Sequence, residues 1–110
     1  MVNENYDFEL ASALFEKKSY EEVRRYVLAH ANAGDSNAQC FMGFLCEHGF
    51  GAPPDVDEAE RWLNKAAEQN NALAWNNLGT FWTLRDPKKS KLCFRRAVEL
   101  GFTMAAPLAG

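Results

Sequence analysis

Residues 38–79 read AQCFMGFLCEHGFGAPPDVDEAERWLNKAAEQNNALAWNNLG, and the two ends of this stretch answer one another: Ala38 and Gly43 recur as Ala74 and Gly79, 36 residues on. The register extends outward in both directions. Gly34, Asn70 and Gly101 align, with His30, Ala66 and Ala97 four positions before them. Ala38, Ala74 and Ala105 stand four positions after them, and Gly43, Gly79 and Gly110 nine after. Self-similarity at a spacing of 36 and then 31 residues marks an array of supersecondary units, each unable to bury its apolar face without a neighbour. Arrays of this kind usually bind and rarely catalyse.

Punctuation within each unit predicts pairs of helices. A first helix is expected over about 5–17, and a second opens at Ser19, where Ser19 and Glu22 have capping-box spacing, and closes at Gly34. Asp35 or Ser36 can cap a helix over 36–48 that ends at Gly49-Phe50-Gly51. Beyond Pro53-Pro54, Asp55 and Glu58 repeat the capping-box pattern and open a helix running to about Gln69. The third unit has a helix over 72–84 and another after Asp86-Pro87, with Asp86 as N-cap, proline at the tolerated first position, and Gly101 as the stop. Residues 103–109 read as the start of a seventh helix weakened by Pro107. Nothing in the chain calls for a strand. The expectation is one domain over 1–110, with units at about 5–34, 35–70 and 71–101 and a partial cap at 102–110.

Composition suits this reading. A chain of 110 residues, 47% apolar, can bury one modest core, and no apolar run approaches the roughly 18 residues of a membrane span. The start, MVNENYDFEL, has neither the basic opening nor the apolar stretch of a secretion signal, and three irregularly spaced cysteines suggest no disulfide framework. An intracellular, cytoplasmic protein with free thiols is the expectation. The net charge of −3 is unevenly spread: residues 1–70 carry −7 and residues 71–110 carry +4. An elongated molecule would have an acidic and a basic end.

The quoted stretch resembles a Sel-1-like repeat, a subgroup of tetratricopeptide-like solenoids. Ala38, Gly43, Gly49, Gly51, Asp55, Ala59, Trp62, Lys65, Ala66 and Ala67 carry the likeness, followed by Ala74, Leu78 and Gly79 in the next unit. The resemblance implies an all-α fold, a right-handed α-α superhelix of about three antiparallel pairs plus a short C-terminal helix. Each match has a physical reason. Gly43, Gly79, Ala59 and Ala66 let paired helices approach, Trp62 fills the seam, and Gly49 and Gly51 suit a tight loop. The first unit departs from the pattern, with Ser12, Tyr26 and His30 at the positions of Gly43, Trp62 and Ala66. The third has the short connector Leu84-Arg85-Asp86-Pro87 and places Cys93 where Trp62 would be.

The resemblance also implies that the first helix of each pair lines a concave surface on which a protein or peptide docks. Carried over by position, the groove would comprise Glu9, Leu10, Ala13, Cys40, Phe41, Phe44, Glu47, Asn76, Asn77 and Thr80. Asn77 matches the asparagine that commonly precedes Leu-Gly in these repeats, and its amide suits a peptide backbone. In helix 72–84, Trp75, Leu78 and Trp82 share one face and Asn76, Asn77 and Thr80 another, whereas helix 36–48 is apolar nearly all round. Phe41 and Phe44 are either anchors for a partner or packing against neighbouring helices.

Other clusters carry weaker signals. Cys46, Glu47 and His48 are three metal-capable residues in a row, but adjacent helical residues diverge and no second cluster completes a site, so no metal and no cofactor is expected. The basic run Arg85, Lys88, Lys89, Lys91, Arg95 and Arg96 reads as a solvated face rather than a nucleic-acid surface. Leu92, Phe94 and Val98 need a cover, so the tail is expected either to fold back as a cap or to leave an end that pairs with another chain. Taken together, the chain reads as a protein-interaction module, an adaptor or regulatory binder. The alternative is an immunity-type or inhibitor protein that neutralises a cognate toxin or enzyme. A catalyst lacks a visible acid, base, nucleophile or phosphate loop.

Overall fold

The computed structural model describes residues 5–110, which contain helices and no strand. Residues 1–4, at the start of the polar terminus discussed above, lie outside the described residues. The order is α1 (Phe8–Glu16), α2 (Tyr20–Asn32), α3 (Ser36–His48), α4 (Val56–Glu68), α5 (Ala72–Trp82) and α6 (Pro87–Glu99), then a 3-10 turn (Thr103–Ala105) and α7 (Ala106–Ala109). Connectors at 17–19, 49–55 and 83–86 make α1–α2, α3–α4 and α5–α6 hairpins, stacked into an all-α solenoid that measures 45 × 29 × 22 Å.

Side-chain caps fix most helix starts. Asp7, Asp35, Asp55, Asn71 and Asp86 each accept the backbone N–H three residues on, at 2.9–3.2 Å, a contact worth about 1 kcal/mol each. Ser19 departs from the expected capping box. Its side chain makes no cap bond; Lys18 turns the chain at φ +60°, and the Ser19 N–H instead donates to the Leu14 carbonyl at 3.0 Å. The first helix starts later than expected because Asp7 caps it, and the Asp7 N–H is itself held by the Tyr26 hydroxyl at 2.8 Å.

The repeat register is visible in the backbone. Gly34, Asn70 and Gly101 each leave a second helix with positive φ, at +104°, +59° and +104°, a conformation that favours glycine and, next to it, asparagine. It is equally visible in the core. A Cβ on Gly43 would lie 2.7 Å from Leu63 Cγ, and a Cβ on Gly79 would lie 2.5 Å from Phe94 Cε1. Leu63 and Phe94 occupy the same repeat position, so one notch-and-knob contact closes both hairpins. Trp62 is only 7% exposed, filling the seam of the middle unit as expected, with the Lys65 ammonium 5.0 Å from its ring centre.

Polar bonds tie unit to unit. Gln69 Nε2 donates to the Gly34 carbonyl and to Gln39 Oε1, both at 3.0 Å, and buried Gln39 donates on to the Ala31 carbonyl at 3.2 Å. Asn71 Nδ2 donates to Ser36 Oγ and Asn37 Oδ1, each at 2.8 Å, so the cap of α5 is joined to the first turn of α3. Burial of the Gln39 amide is tolerated because these bonds replace its lost water.

The tail folds back as a cap: Ala105 is buried against Phe94 and Ala97, with Trp75, Val98 and Phe102 alongside. Leu92, in contrast to the expectation, remains 60% exposed. At 100° per residue it lies some 200° around α6 from Phe94, so no cover placed over Phe94 can reach it. In α5 the buried stripe is Ala74, Leu78, Gly79 and Phe81; Trp75 and Trp82, expected to share the face of Leu78, are half-buried beside it.

Candidate functional site

The three first helices, α1, α3 and α5, form a groove of about 530 Å³ that is mainly apolar. Its walls follow from helical spacing. Phe41 and Phe44 stand three residues apart on α3, the spacing that puts side chains on one face, and Phe8 from α1 and Leu73 from α5 face them across the groove. Cys40 forms the floor, and Asn37 and Asn77 supply the polar rim.

An aromatic cluster fixes the walls. Phe44 is 38% exposed, yet its ring stacks on Phe50 at 5.7 Å, meets His48 at a tilt at 4.7 Å, and has Phe15 edge-on at 5.8 Å. Phe41, half-buried, lies 6.1 Å from Phe8, Phe15 and Phe44. Phe50 comes from the glycine-rich connector and is wedged 4.8 Å from both Phe15 and Tyr20. Each pair adds about 0.5–1.5 kcal/mol to simple burial. Phe41 and Phe44 are therefore packed from behind and open in front, a condition between the two extremes posed by the sequence.

Of the ten residues carried over from the repeat pattern, Cys40, Phe41, Phe44 and Asn77 meet at this groove. Cys40 is 2% exposed, its short side chain receding beneath the phenylalanines. Glu9, Leu10 and Ala13 are exposed on α1 but stand outside the groove's lining. Glu47 turns toward Arg85, 3.9 Å away. Thr80 is exposed, and its hydroxyl bonds back to the Asn76 carbonyl at 3.4 Å; neither residue lines the groove. Three lining residues were not among the ten. Asn37 and Leu73 are repeat equivalents one turn ahead of Phe41 and Asn77, so the same 36-residue register could have identified them. Phe8, 61% exposed at the first position of a divergent helix, carried no such signal.

The thiol at the floor of the groove is held in its neutral form. Burial, reinforced by the negative charge of Asp35, pushes the Cys40 thiol up to about 12, so it stays protonated and poorly nucleophilic at neutral pH. Burial also raises the Cys46 and Cys93 thiols. All three are free and buried. The triplet that invited a metal reading diverges: Cys46 Sγ faces the Arg24 guanidinium at 3.6 Å, Glu47 faces Arg85, and His48 lies on Phe44. The basic run is largely engaged within the fold. Arg85 sits 4.2 Å over the Phe81 ring and Lys89 3.9 Å over the Trp82 ring, while Arg96 bonds Glu99 and Asn70, and Arg95 reaches the Ala109 carbonyl. Among the described residues no helix is long and apolar enough to cross a membrane.

Comparison with known proteins agrees with this architecture. The model of the Sel1 repeat matches residues 36–71 and 72–102. A Sel1 repeat protein from Oxalobacter formigenes superposes with a TM-score of 0.69 at 30% identity, over 77% of this chain and 37% of that one. The uropathogenic Escherichia coli antigen c5321, which has an SLR fold, also gives a TM-score of 0.69, at 21% identity over 78% of this chain and 20% of the other. Among curated proteins, the chitin synthase regulator SKT5 of Saccharomyces cerevisiae is 37% identical over 68 residues, and that of Malassezia restricta 36% over 50 residues. These matches cover 62% and 46% of this chain but only 10% and 4% of the regulators.

Proposed function

Because the chain belongs to the Sel1 repeat family, we propose that it is a protein-interaction module, an adaptor or regulatory binder that holds a segment of a partner protein in the groove of α1, α3 and α5. One observation carries the reading: Phe8, Phe41, Phe44 and Leu73 wall an open apolar groove in which Phe41 and Phe44 are already fixed by packing behind them. Pre-set aromatic walls bind without a large loss of side-chain entropy, which is what concentrates binding energy in a few residues. A regulatory role accords with the chitin synthase regulators, parts of which the chain resembles. A cytoplasmic location, with the three thiols kept reduced, belongs to the same proposal.

Selection of short displayed peptides on the 110-residue chain tests it. The expected result is enrichment of sequences with a large apolar residue, lost when the selection is repeated on folded Phe44→Ala protein. Absence of enrichment, or the same sequences selected by the variant, would remove the groove as a binding site.

A further inference from the structure

The charges divide by helix in a way that neither the repeat pattern nor the net charge contains. All 12 lysines and arginines lie on the second helices or the connectors; α1, α3 and α5 have none. Those three helices carry Glu9, Glu16 and Glu47 instead. The groove is thus set into a surface with carboxylates and no Lys or Arg of its own helices.

Asp7 and Asp35 meet at one edge, each near enough to Tyr6 for its charge to push that phenol up. Asp7 caps α1 directly before the groove residue Phe8, Glu9 directly follows it, and Asp35 caps α3 two residues before Asn37. The positive pole at a helix N-terminus would ordinarily draw an anion to such an edge. Here each aspartate cap accepts one of the free N–H groups, that of Leu10 in α1 and of Ala38 in α3, and sets a full negative charge against the pole. Asp35 acts as far as the groove floor, where its charge helps to raise the Cys40 thiol. At the opposite ends of the helices Glu47 is balanced by Arg85 at 3.9 Å and Glu16 is followed directly by Lys17 and Lys18, which leaves Asp7, Glu9 and Asp35 to set the sign of the field at the near end.

The rim adds hydrogen-bonding capacity. Asn37 Oδ1 accepts from Asn71, leaving its own amide hydrogens for a ligand, and the Asn77 carboxamide bonds to no described residue. A carboxamide with a free donor and acceptor can pair with the N–H and C=O of a peptide chain lying along it.

We propose that the groove selects a peptide segment with a large apolar residue flanked by lysine or arginine: the apolar side chain enters between Phe8, Phe41, Phe44 and Leu73, and the cation lies at the edge formed by Asp7, Glu9 and Asp35. The proposal rests on the groove reading above and adds the chemistry of the partner. Each near-surface ion pair is worth up to about fivefold in affinity, so two or three acting together give a preference of about tenfold over an acidic counterpart.

The peptide selection serves again, now read at the positions flanking the apolar residue. Lysine and arginine are expected to be enriched and aspartate and glutamate depleted. Apolar sequences enriched with neutral or acidic flanks would overturn the charge preference while leaving the groove intact; no apolar enrichment would overturn both. Synthetic peptides of one selected sequence, with lysine, glutamine or glutamate flanks, then allow titration by fluorescence anisotropy. The lysine form should bind about tenfold more tightly than the glutamate form at about 50 mM salt, and the ratio should shrink severalfold at about 300 mM as screening shortens the Debye length. The triple variant Asp7→Asn, Glu9→Gln, Asp35→Asn keeps both caps, because asparagine caps as well as aspartate, and should abolish the ratio while still binding the glutamine peptide. A ratio unchanged in that variant, or a lysine peptide that binds equally well after its apolar residue is replaced by alanine, would overturn the proposal.

Discussion

Replacing Gly79 by alanine sets two known effects against each other, and the structure decides between them. In an exposed helix the change would stabilise by about 1 kcal/mol, since alanine is the better helix former. At Gly79 the new methyl would lie 2.5–2.7 Å from three atoms of the Phe94 ring, about 1 Å inside normal contact. Neither partner can easily yield. Phe94 is 4% exposed, enclosed by Ala97, Ala105 and Trp75, and the Gly79 carbonyl is held by Ser90 Oγ at 2.6 Å and Thr83 Oγ1 at 2.9 Å. Overpacking of this kind costs about 1–3 kcal/mol, and the rigid ring places it near the upper end. The net expectation is a loss of about 2 kcal/mol, measured by urea denaturation. Phe94→Leu should relieve the clash, so the double variant should be more stable than the two single losses imply by about 1 kcal/mol. A stabilised Gly79→Ala protein would mean that α5 and α6 do not approach there, and the notch-and-knob account of the repeat would be refuted.

Further expectations concern other parts of the fold. Trp62→Ala should cost about 3–5 kcal/mol by denaturation, as a nearly buried indole does; a loss below about 1 kcal/mol would put the middle unit out of register. Phe44→Ala, at a site 38% exposed, should cost about 2 kcal/mol of stability while weakening a selected peptide at least tenfold; unchanged binding by the folded variant would remove Phe44 from the site. Stability should fall as pH rises from 9 toward 12, because the Cys40 thiol ionises near 9.0 when unfolded but only at about 12 when folded, so ionisation favours the unfolded chain; a Cys40→Ala protein with an equally steep decline would contradict this. Ending the chain at Gly101 should uncover Phe94 and lower stability by about 2 kcal/mol, and sedimentation should show more self-association of the shortened chain; equal stability and mass for both forms would show that the tail is not a cap.

The fold was legible because the repeat fixes several independent features at once. The small residues at 43 and 79, the capping aspartates and the left-handed exits at Gly34, Asn70 and Gly101 all report the same register. Ser19 misled because a capping box depends on the backbone arriving extended, and a positive φ at Lys18 leaves no mark in the sequence that separates the two cases. The site was half legible. Phe41, Phe44 and Asn77 follow from position in the repeat, but α3 is apolar nearly all round, so periodicity could not show that Cys40 faces inward and Phe44 outward. Phe8 lies in the divergent unit, where the register fails, and only its distance to Phe41 places it at the groove.

The glycine-rich connector of the middle unit has a consequence for how such a protein can change. Its length allows Phe50 to fold back onto Phe15, Tyr20 and Phe44, whereas the short link between α5 and α6 supplies no equivalent ring. The wall around Phe44 therefore belongs partly to a segment that is not a helix. Loops tolerate insertion and exchange far better than packed helices do. A new connector could reshape the ligand surface while the notches at Gly43 and Gly79 stayed as they are. Inheritance of the scaffold and divergence of its specificity are thereby assigned to different stretches of one short chain.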